Sequence, residues 1–195
     1  MQRRIRALHL TDHRISLLGI GGLTRTAMGA AFLLVTLGTA LAAEWRHFSD
    51  PAFGYSINLP GRGFAVEAVG AKHGVTLYER GGRGQIDVYA SDNLARLELR
   101  EVRDALSSAE RIRDITYTRS GASWFVISGH YRRQEDEAAD LIFYAKFMLS
   151  ADGQSISAFE ASYPIADKER YDPIIEEMQR SLTRPLSPSL LPAPP

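Results

Sequence analysis

The hydrophobic positions in the first half of the chain alternate with polar ones, as in strands with one buried face. The clearest segment is Phe53–Leu59, where every second residue is apolar and Pro60 ends the run. Two further predicted strands, Gly74–Glu79 and Gln85–Ala90, flank the glycine-rich segment Gly81–Gly84. A glycine-rich turn between alternating segments predicts a β-hairpin.

The second half of the chain predicts longer strands. Ser123–Tyr131 contains consecutive apolar residues, which is typical of a strand covered on both faces. Leu141–Leu149 is the most apolar segment. The remaining predicted strands are Ile115–Thr118 and Ser155–Tyr163, and Asp152-Gly153 before the last of them is a hairpin signal.

Two segments have the apolar spacing of amphipathic helices. The first is Glu98–Ala109, with Ser91–Asn93 before it as predicted capping residues. The second is predicted to begin with Asp172 as N-cap and Pro173 in the first position. The predicted buried stripes are Leu99, Val102, Leu106 and Ala109 in the first helix, and Ile174, Ile175, Met178 and Leu182 in the second.

These elements predict the α+β class, with a twisted, mainly antiparallel sheet of about six or seven strands flanked by two helices. Residues 44–183 are predicted to form one domain. Five of the nine prolines lie in residues 184–195, which we predict to be a disordered tail.

Residues 1–43 have the organisation of a secretory signal peptide. Five arginines precede an uncharged run from Thr26 that ends in small residues, and cleavage is predicted after Ala42 or Ala43. The alternative is an uncleaved N-terminal anchor, which would be the only membrane contact. Either way the domain is expected in the periplasm or outside the cell.

Charge and cysteine content exclude several functions. Of 23 basic and 23 acidic residues, five arginines and one aspartate lie in the leader, so the rest carries 18 basic and 22 acidic residues, a net charge of −4. A mildly acidic domain without a basic cluster is not a nucleic-acid-binding protein. The chain has no cysteine, which rules out disulfides, thiol catalysis and cysteine metal sites.

No residue pattern identifies a catalytic, cofactor or metal site. His47, His73 and His130 lack the spacing of zinc ligands, although they could still converge in space. There is no Gly-x-Ser-x-Gly elbow, and Ser128 lies in a predicted central strand, where packing or hydrogen bonding is expected of it. Gly81–Gly84 lacks the Lys-Ser/Thr of a phosphate-binding loop.

Two acidic features remain. Glu135, Asp136, Glu137 and Asp140 lack the alternation of a calcium loop and predict a solvated hairpin tip. Glu160 interrupts an apolar strand. It either faces solvent or pairs with a cation such as Lys146 on a neighbouring strand.

The order of several segments resembles a known family of exported bacterial proteins of unknown function with a PsbP-like fold. The segments that carry the resemblance are Trp45, Phe48, Phe53–Pro60, Gln85–Asn93, Ile115–Tyr117, Ser123–Gly129, Phe143-Tyr144, Ala161–Pro164 and Tyr171–Ile175. The fold is shared by the photosystem II extrinsic subunit and the Ran guanine-nucleotide release factor. The resemblance implies binding of a protein partner, but no partner-contacting residue of those proteins can be matched to a position here.

The sequence therefore predicts an exported, non-enzymatic binding module for an envelope protein or a small ligand, without a cofactor. The alternative is a small envelope hydrolase or metal-dependent enzyme with dispersed active-site residues.

Overall fold

The computed structural model describes residues 44–68, 73–133 and 140–187. Within these ranges the chain forms nine strands and two α-helices: β1 (Trp45–Asp50), β2 (Tyr55–Pro60), β3 (Phe64–Ala68), β4 (His73–Glu79), β5 (Gln85–Asp92), α1 (Leu99–Ser107), β6 (Ile112–Ser120), β7 (Trp124–Tyr131), β8 (Leu141–Leu149), β9 (Ser155–Pro164) and α2 (Lys168–Ser181). The predicted leader with its cleavage site at Ala42 or Ala43, and the acidic residues Glu135–Glu137, lie outside the described residues.

Seven strands form one sheet in the order β3-β4-β5-β9-β8-β7-β6, and every neighbouring pair is antiparallel. β1 and β2 form a separate antiparallel pair. The predicted α+β class is confirmed, and Gly81–Gly84 forms the predicted turn, with Gly81 at a φ of +73° that favours glycine. The short strands β1 and β3 were not predicted.

A hydrophobic core lies on each face of the large sheet. One face packs against α2 and β2, in a core that includes Ile57, Ile86 and Met178. The other face packs against α1. The central strand β9 contributes to both cores, because its neighbouring residues Ala158 and Phe159 point to opposite faces and both are fully buried.

The first helix begins later than its predicted caps. Ser91 and Asp92 continue β5 and pair with β9, so they are not free to cap a helix. The N-cap is Glu98, which forms a reciprocal capping box with Glu101. Asn93 is buried, and its amide donates hydrogen bonds to two loop carbonyls at this end of the sheet.

The second helix begins earlier than predicted. It starts at Lys168, whose ammonium lies 2.7 Å from the Asp172 carboxylate one turn later, so Asp172 is not the N-cap. Pro173 lies within the helix and supplies no N–H to the preceding turn. The earlier start adds Tyr171 to the buried residues, and the predicted stripe is confirmed: Ile174, Ile175, Met178 and Leu182 are all buried.

The chain after α2 differs from the predicted disordered tail at residues 184–187. The Leu186 N–H donates to the Phe53 carbonyl at 2.8 Å, and Ser187 is buried. Arg184 Nε donates to the Leu149 carbonyl at 2.9 Å. These contacts hold the segment against the domain, while residues 188–195 lie outside the described residues. Within the part of the chain that the structure describes, no helix is long and apolar enough to span a membrane.

Candidate ligand-binding groove

A groove runs between α2 and the sheet face formed by β6, β7 and β8. It consists of two clefts, of about 450 Å³ and about 330 Å³, that share Tyr117. The sheet wall includes Tyr117, Trp124, Ser128, His130, Tyr144 and Lys146, and the helix wall includes Lys168, Asp172, Ile175, Glu176, Gln179 and Arg180. We call the whole feature the α2 groove, the larger cleft its histidine end and the smaller cleft its basic end.

The groove exists because α2 covers only part of this sheet face. The helix packs on β2, β8 and β9, through its buried side chains. Beyond β8 the sheet continues with β7 and β6, and no described helix packs closely on this side of these two strands. Tyr117 on β6 is therefore 47% exposed, although it lies on the same sheet face as the core under α2.

Two irregularities in β6 determine which side chains enter the groove. The register bypasses Arg113 and Thr116, while Asp114 pairs with His130 and Tyr117 pairs with Ser128. In a regular strand, residues three apart point to opposite faces. The extra residue Thr116 between them brings Asp114 and Tyr117 to the same face, which is how a β-bulge redirects side chains.

At the histidine end, His130 and Asp114 form a close pair. The two side chains approach to 2.7 Å between His130 Nδ1 and Asp114 Oδ1. The hydrogen bond from His130, supported by Arg113, lowers the pKa of Asp114. The imidazole is thereby fixed in orientation at the edge of the groove.

Ser128 lies beside His130 on β7 but is hydrogen-bonded elsewhere. Its hydroxyl donates to the Phe143 carbonyl at 2.8 Å, so the proton points into the sheet rather than toward the imidazole. This confirms the expectation that Ser128 is hydrogen-bonded within the sheet.

The three histidines of the domain do not converge. His47 Nδ1 contacts Asn58 at 3.2 Å, and His73 Nδ1 lies 3.5 Å from Asp50, both away from the groove that His130 lines. Among the described residues, no group of three or more histidines and carboxylates is placed to hold a metal ion. Asp140, the described member of the predicted acidic tip, accepts a backbone hydrogen bond from Ile165.

At the basic end, Lys146 connects the sheet to the last turn of α2. Its ammonium donates to the Gln179 carbonyl and lies 5.8 Å from the centre of the Trp124 ring. Burial lowers the pKa of Lys146. Tyr144, which lines the histidine end, donates from its hydroxyl to the Gln179 side chain at the basic end, and burial raises the pKa of Tyr144. The floor of this end is therefore fixed by hydrogen bonds.

Glu160 pairs with a cation, which was one of the two predicted alternatives, but the cation is Arg111 and not Lys146. It lies opposite Ala145 in the register, while Lys146 lies opposite Phe159, so Glu160 and Lys146 point to opposite faces. On the α1 side, Glu160 accepts a hydrogen bond from the Tyr89 hydroxyl at 2.6 Å and from Arg111 at 3.4 Å. The predicted pairing with Lys146 was wrong; the cation is Arg111.

A separate cleft of about 380 Å³ lies at the start of α1. Its charged side chains are already paired, because Arg100 lies 3.1 Å from Glu98 and Arg103 lies 2.9 Å from Asp104. The two clefts of the α2 groove are together larger, and they include cations that have no ion-pair partner among the described residues, so we take this groove as the candidate site. Sequence reasoning did not find the groove, since the bulge at Thr116 has no periodic signature.

Comparison with known proteins gives structural neighbours only. No family model and no curated protein sequence matches the chain. The crystal structure of the Saccharomyces cerevisiae Ran-binding protein Mog1p is similar, with a TM-score of 0.52 and 9% identity, over 73% of this chain and 96% of that one. The chain has a Mog1-like α+β fold. A mutant of protein Mog1 gives a TM-score of 0.52 and 10% identity, over 76% of this chain and 99% of that one.

A third similar structure is the solution structure of cyanobacterial PsbP from Synechocystis. Its TM-score is 0.47 at 17% identity, and the match covers 77% of this chain and 98% of that one. At 9% and 10% identity the two Mog1 structures show the fold alone and carry no site residues to this chain.

Proposed function

We propose that this protein is an exported, non-catalytic binding module that holds its partner in the α2 groove. The observation that carries the proposal is the uncovered face of β6 and β7 beside α2, with aromatic side chains at its surface. Open grooves with aromatic walls and a few polar groups are typical binding sites. One structural neighbour is a Ran-binding protein, which supports a protein partner for a domain of this fold. An envelope protein is the kind of partner we propose here.

The hydrogen bonds in the groove favour binding over catalysis. A nucleophilic serine needs its hydroxyl within hydrogen-bond reach of a base, but the Ser128 hydroxyl donates to Phe143. The His130–Asp114 pair is the feature that favours the alternative, a hydrolase in which His130 activates water. Turnover of ester and amide substrates that disappears in His130→Asn would support that alternative.

Export follows from the predicted leader and is tested separately. Full-length chain expressed in a Gram-negative host is expected in the periplasmic fraction or the medium, with a new N-terminus after Ala42 or Ala43 by mass spectrometry. An intact N-terminus in the membrane fraction would support the uncleaved anchor. A cytoplasmic location would contradict export.

Site-specific photo-cross-linking in cells tests binding in the groove. A benzophenone amino acid replaces Tyr117 in the groove or, as the matched control, Tyr78 on β4. The two tyrosines are 47% and 42% exposed, so exposure alone would cross-link both equally. We expect one recurrent partner from position 117 and none from position 78, with the complex then reconstituted from purified components. Equal capture at both positions, or none at position 117, would contradict the proposal.

A further inference from the structure

Most charged side chains that line the α2 groove already have a partner of opposite charge. Lys168 pairs with Asp172 at 2.7 Å, and His130 pairs with Asp114. Arg180 lies 3.0 Å from Glu176 and 2.7 Å from Glu177, so two carboxylates neutralise it. The charges of these side chains are balanced by their partners, so they attract a charged ligand only weakly.

Lys146 and Arg119 differ from the others. Both line the basic end, and among the described residues neither forms an ion pair with a carboxylate. Lys146 is half-buried and uses one of its three N–H donors on the Gln179 carbonyl. Charges at a partly desolvated position interact more strongly than charges in open water. The basic end is therefore suited to an anionic group.

The position of α2 indicates which class of anion fits the basic end. The basic end lies against the last turn of the helix, at Gln179 and Arg180. Phosphate sites are typically built on helix N-termini, whereas the C-terminal end of a helix carries partial negative charge. One lysine and one arginine beside a helix C-terminus suit a singly charged carboxylate better than a phosphate dianion.

The length of the groove indicates an extended ligand. Its helix wall runs from Lys168 to Arg180, which corresponds to about 18 Å along an α-helix. An extended polypeptide advances up to about 3.5 Å per residue, so about five residues fill this length. Tyr117, at the junction of the two clefts, offers an exposed aromatic surface for an apolar side chain of such a segment.

We infer that the α2 groove binds an extended segment of the partner protein, with a carboxylate side chain of that segment between Lys146 and Arg119. This inference rests on the proposed function and names the chemistry of the partner. The charges of Lys146 and Arg119 select an acidic segment over a neutral one. The two walls of the groove, α2 and β6, set the direction in which the bound segment runs. The rest of the domain is mildly acidic, so the attraction is local to the basic end.

Peptide titration followed by amide NMR tests the inference on protein purified after expression of the full chain. The probe is the blocked pentapeptide Ala-Phe-Glu-Leu-Ala, compared with its Gln version and with free glutarate. The Glu peptide is expected to shift the amides of Tyr117, Trp124 and Lys146. The Gln peptide is expected to bind about tenfold more weakly, because its neutral amide forms no charge-assisted hydrogen bond with the two cations; tenfold corresponds to about 1.4 kcal/mol.

Three variants test whether the charge of Lys146 causes the preference for the Glu peptide over the Gln peptide. Lys146→Met should remove the preference for Glu over Gln, and Lys146→Arg, which keeps the charge, should retain most of it. Arg83→Gln removes an exposed cation from the β4–β5 turn and should change nothing. The readout is the preference for Glu over Gln rather than the overall affinity, because loss of the structural bond to Gln179 alone would weaken the binding of both peptides equally.

Several results would overturn the inference. These are equal affinity for the Glu and Gln peptides, no shift at the groove amides, or binding of glutarate as tight as that of the Glu peptide, which would make a small carboxylate the ligand. If cross-linking at position 117 captures a partner while the acidic peptide does not bind, the proposed function stands and this inference fails.

Discussion

The ion-pair network that joins α2 to the β4–β5 hairpin should control both the stability of the domain and its dependence on pH. Glu79 at the end of β4 accepts hydrogen bonds from the Tyr171 hydroxyl at 3.1 Å and the Gly84 N–H at 3.2 Å, and it pairs with Arg170. Its side chain is only 9% exposed. Removing its charge therefore affects two elements at once, the hairpin turn and the start of the groove-lining helix.

Glu79→Gln keeps the shape of the side chain and removes the charge. A charge-assisted hydrogen bond contributes about 1.5–3 kcal/mol, but Arg170 is half-exposed, so its ion pair adds little. We expect the free energy of unfolding to fall by about 2 kcal/mol near neutral pH. For a domain of this size that corresponds to a loss of roughly 6 °C in Tm. The matched control is Glu67→Gln on the exposed edge strand β3, which should change stability by less than about 0.5 kcal/mol.

The pKa of Glu79 determines the direction in which the stability of the domain changes with pH. Burial acts to raise the pKa of Glu79, but hydrogen bonds from Arg170, Gly84 and Tyr171 outweigh it, so its pKa lies below the ordinary value. A carboxylate that binds its proton less readily in the folded state stabilises the protein above the unfolded pKa, and that stability is lost as pH falls through the folded pKa. The difference between wild type and Glu79→Gln should thus be full near neutral pH and shrink in acid.

Urea unfolding of both proteins between about pH 7 and about pH 3 measures this difference. A difference that stays constant down to the acid end would show that Glu79 acts through packing rather than charge. No destabilisation at neutral pH would refute the argument that the network holds α2 to the hairpin.

Three further predictions concern packing. In Gly129→Ala the new Cβ would lie 2.0 Å from the Asp114 carbonyl oxygen, so β6 must move, and we expect a loss of about 1–3 kcal/mol together with shifted amides along the groove. Met178 on α2 is fully buried against the sheet, and Met178→Ala should cost about 2–5 kcal/mol in urea unfolding; unchanged stability would contradict the packing of α2. A chain that stops after Thr183 loses the Leu186 contacts and should show a lower Tm; an unchanged Tm would mean that this segment does not stabilise the domain.

The sequence predicted the parts of the fold that depend on periodicity. Strand β8 was predicted with its observed ends, and the stripe on α2 was identified because buried residues recur at helical spacing. The predicted capping residues of α1 and the predicted start of α2 were wrong for a different reason. Ser91 is a good capping residue by type, and Pro173 a good first residue, but pairing of β5 with β9 and the burial of Tyr171 decided the boundaries. Such contacts join residues far apart in sequence.

The groove was less predictable, because it depends on which face each side chain occupies. Ser128 and His130 share a face by simple alternation, and that much follows from the sequence. The presence of Asp114 and Tyr117 on the same face depends on the bulge at Thr116, which no local pattern marks. The size of the uncovered area also depends on where α2 stops covering the sheet.

The position of Glu160 shows how one residue of register determines the chemistry of the groove. Lys146 and Glu160 lie on adjacent strands, and a pairing between them would have left the basic end without a free ammonium. The register places Ala145 opposite Glu160 and Phe159 opposite Lys146, so the carboxylate meets Tyr89 on the α1 side. The ammonium is left on the groove side with only a backbone carbonyl as its hydrogen-bond acceptor among the described residues. The same alternation that stabilises the second core therefore provides the unpaired cation on which the proposed recognition of a carboxylate depends.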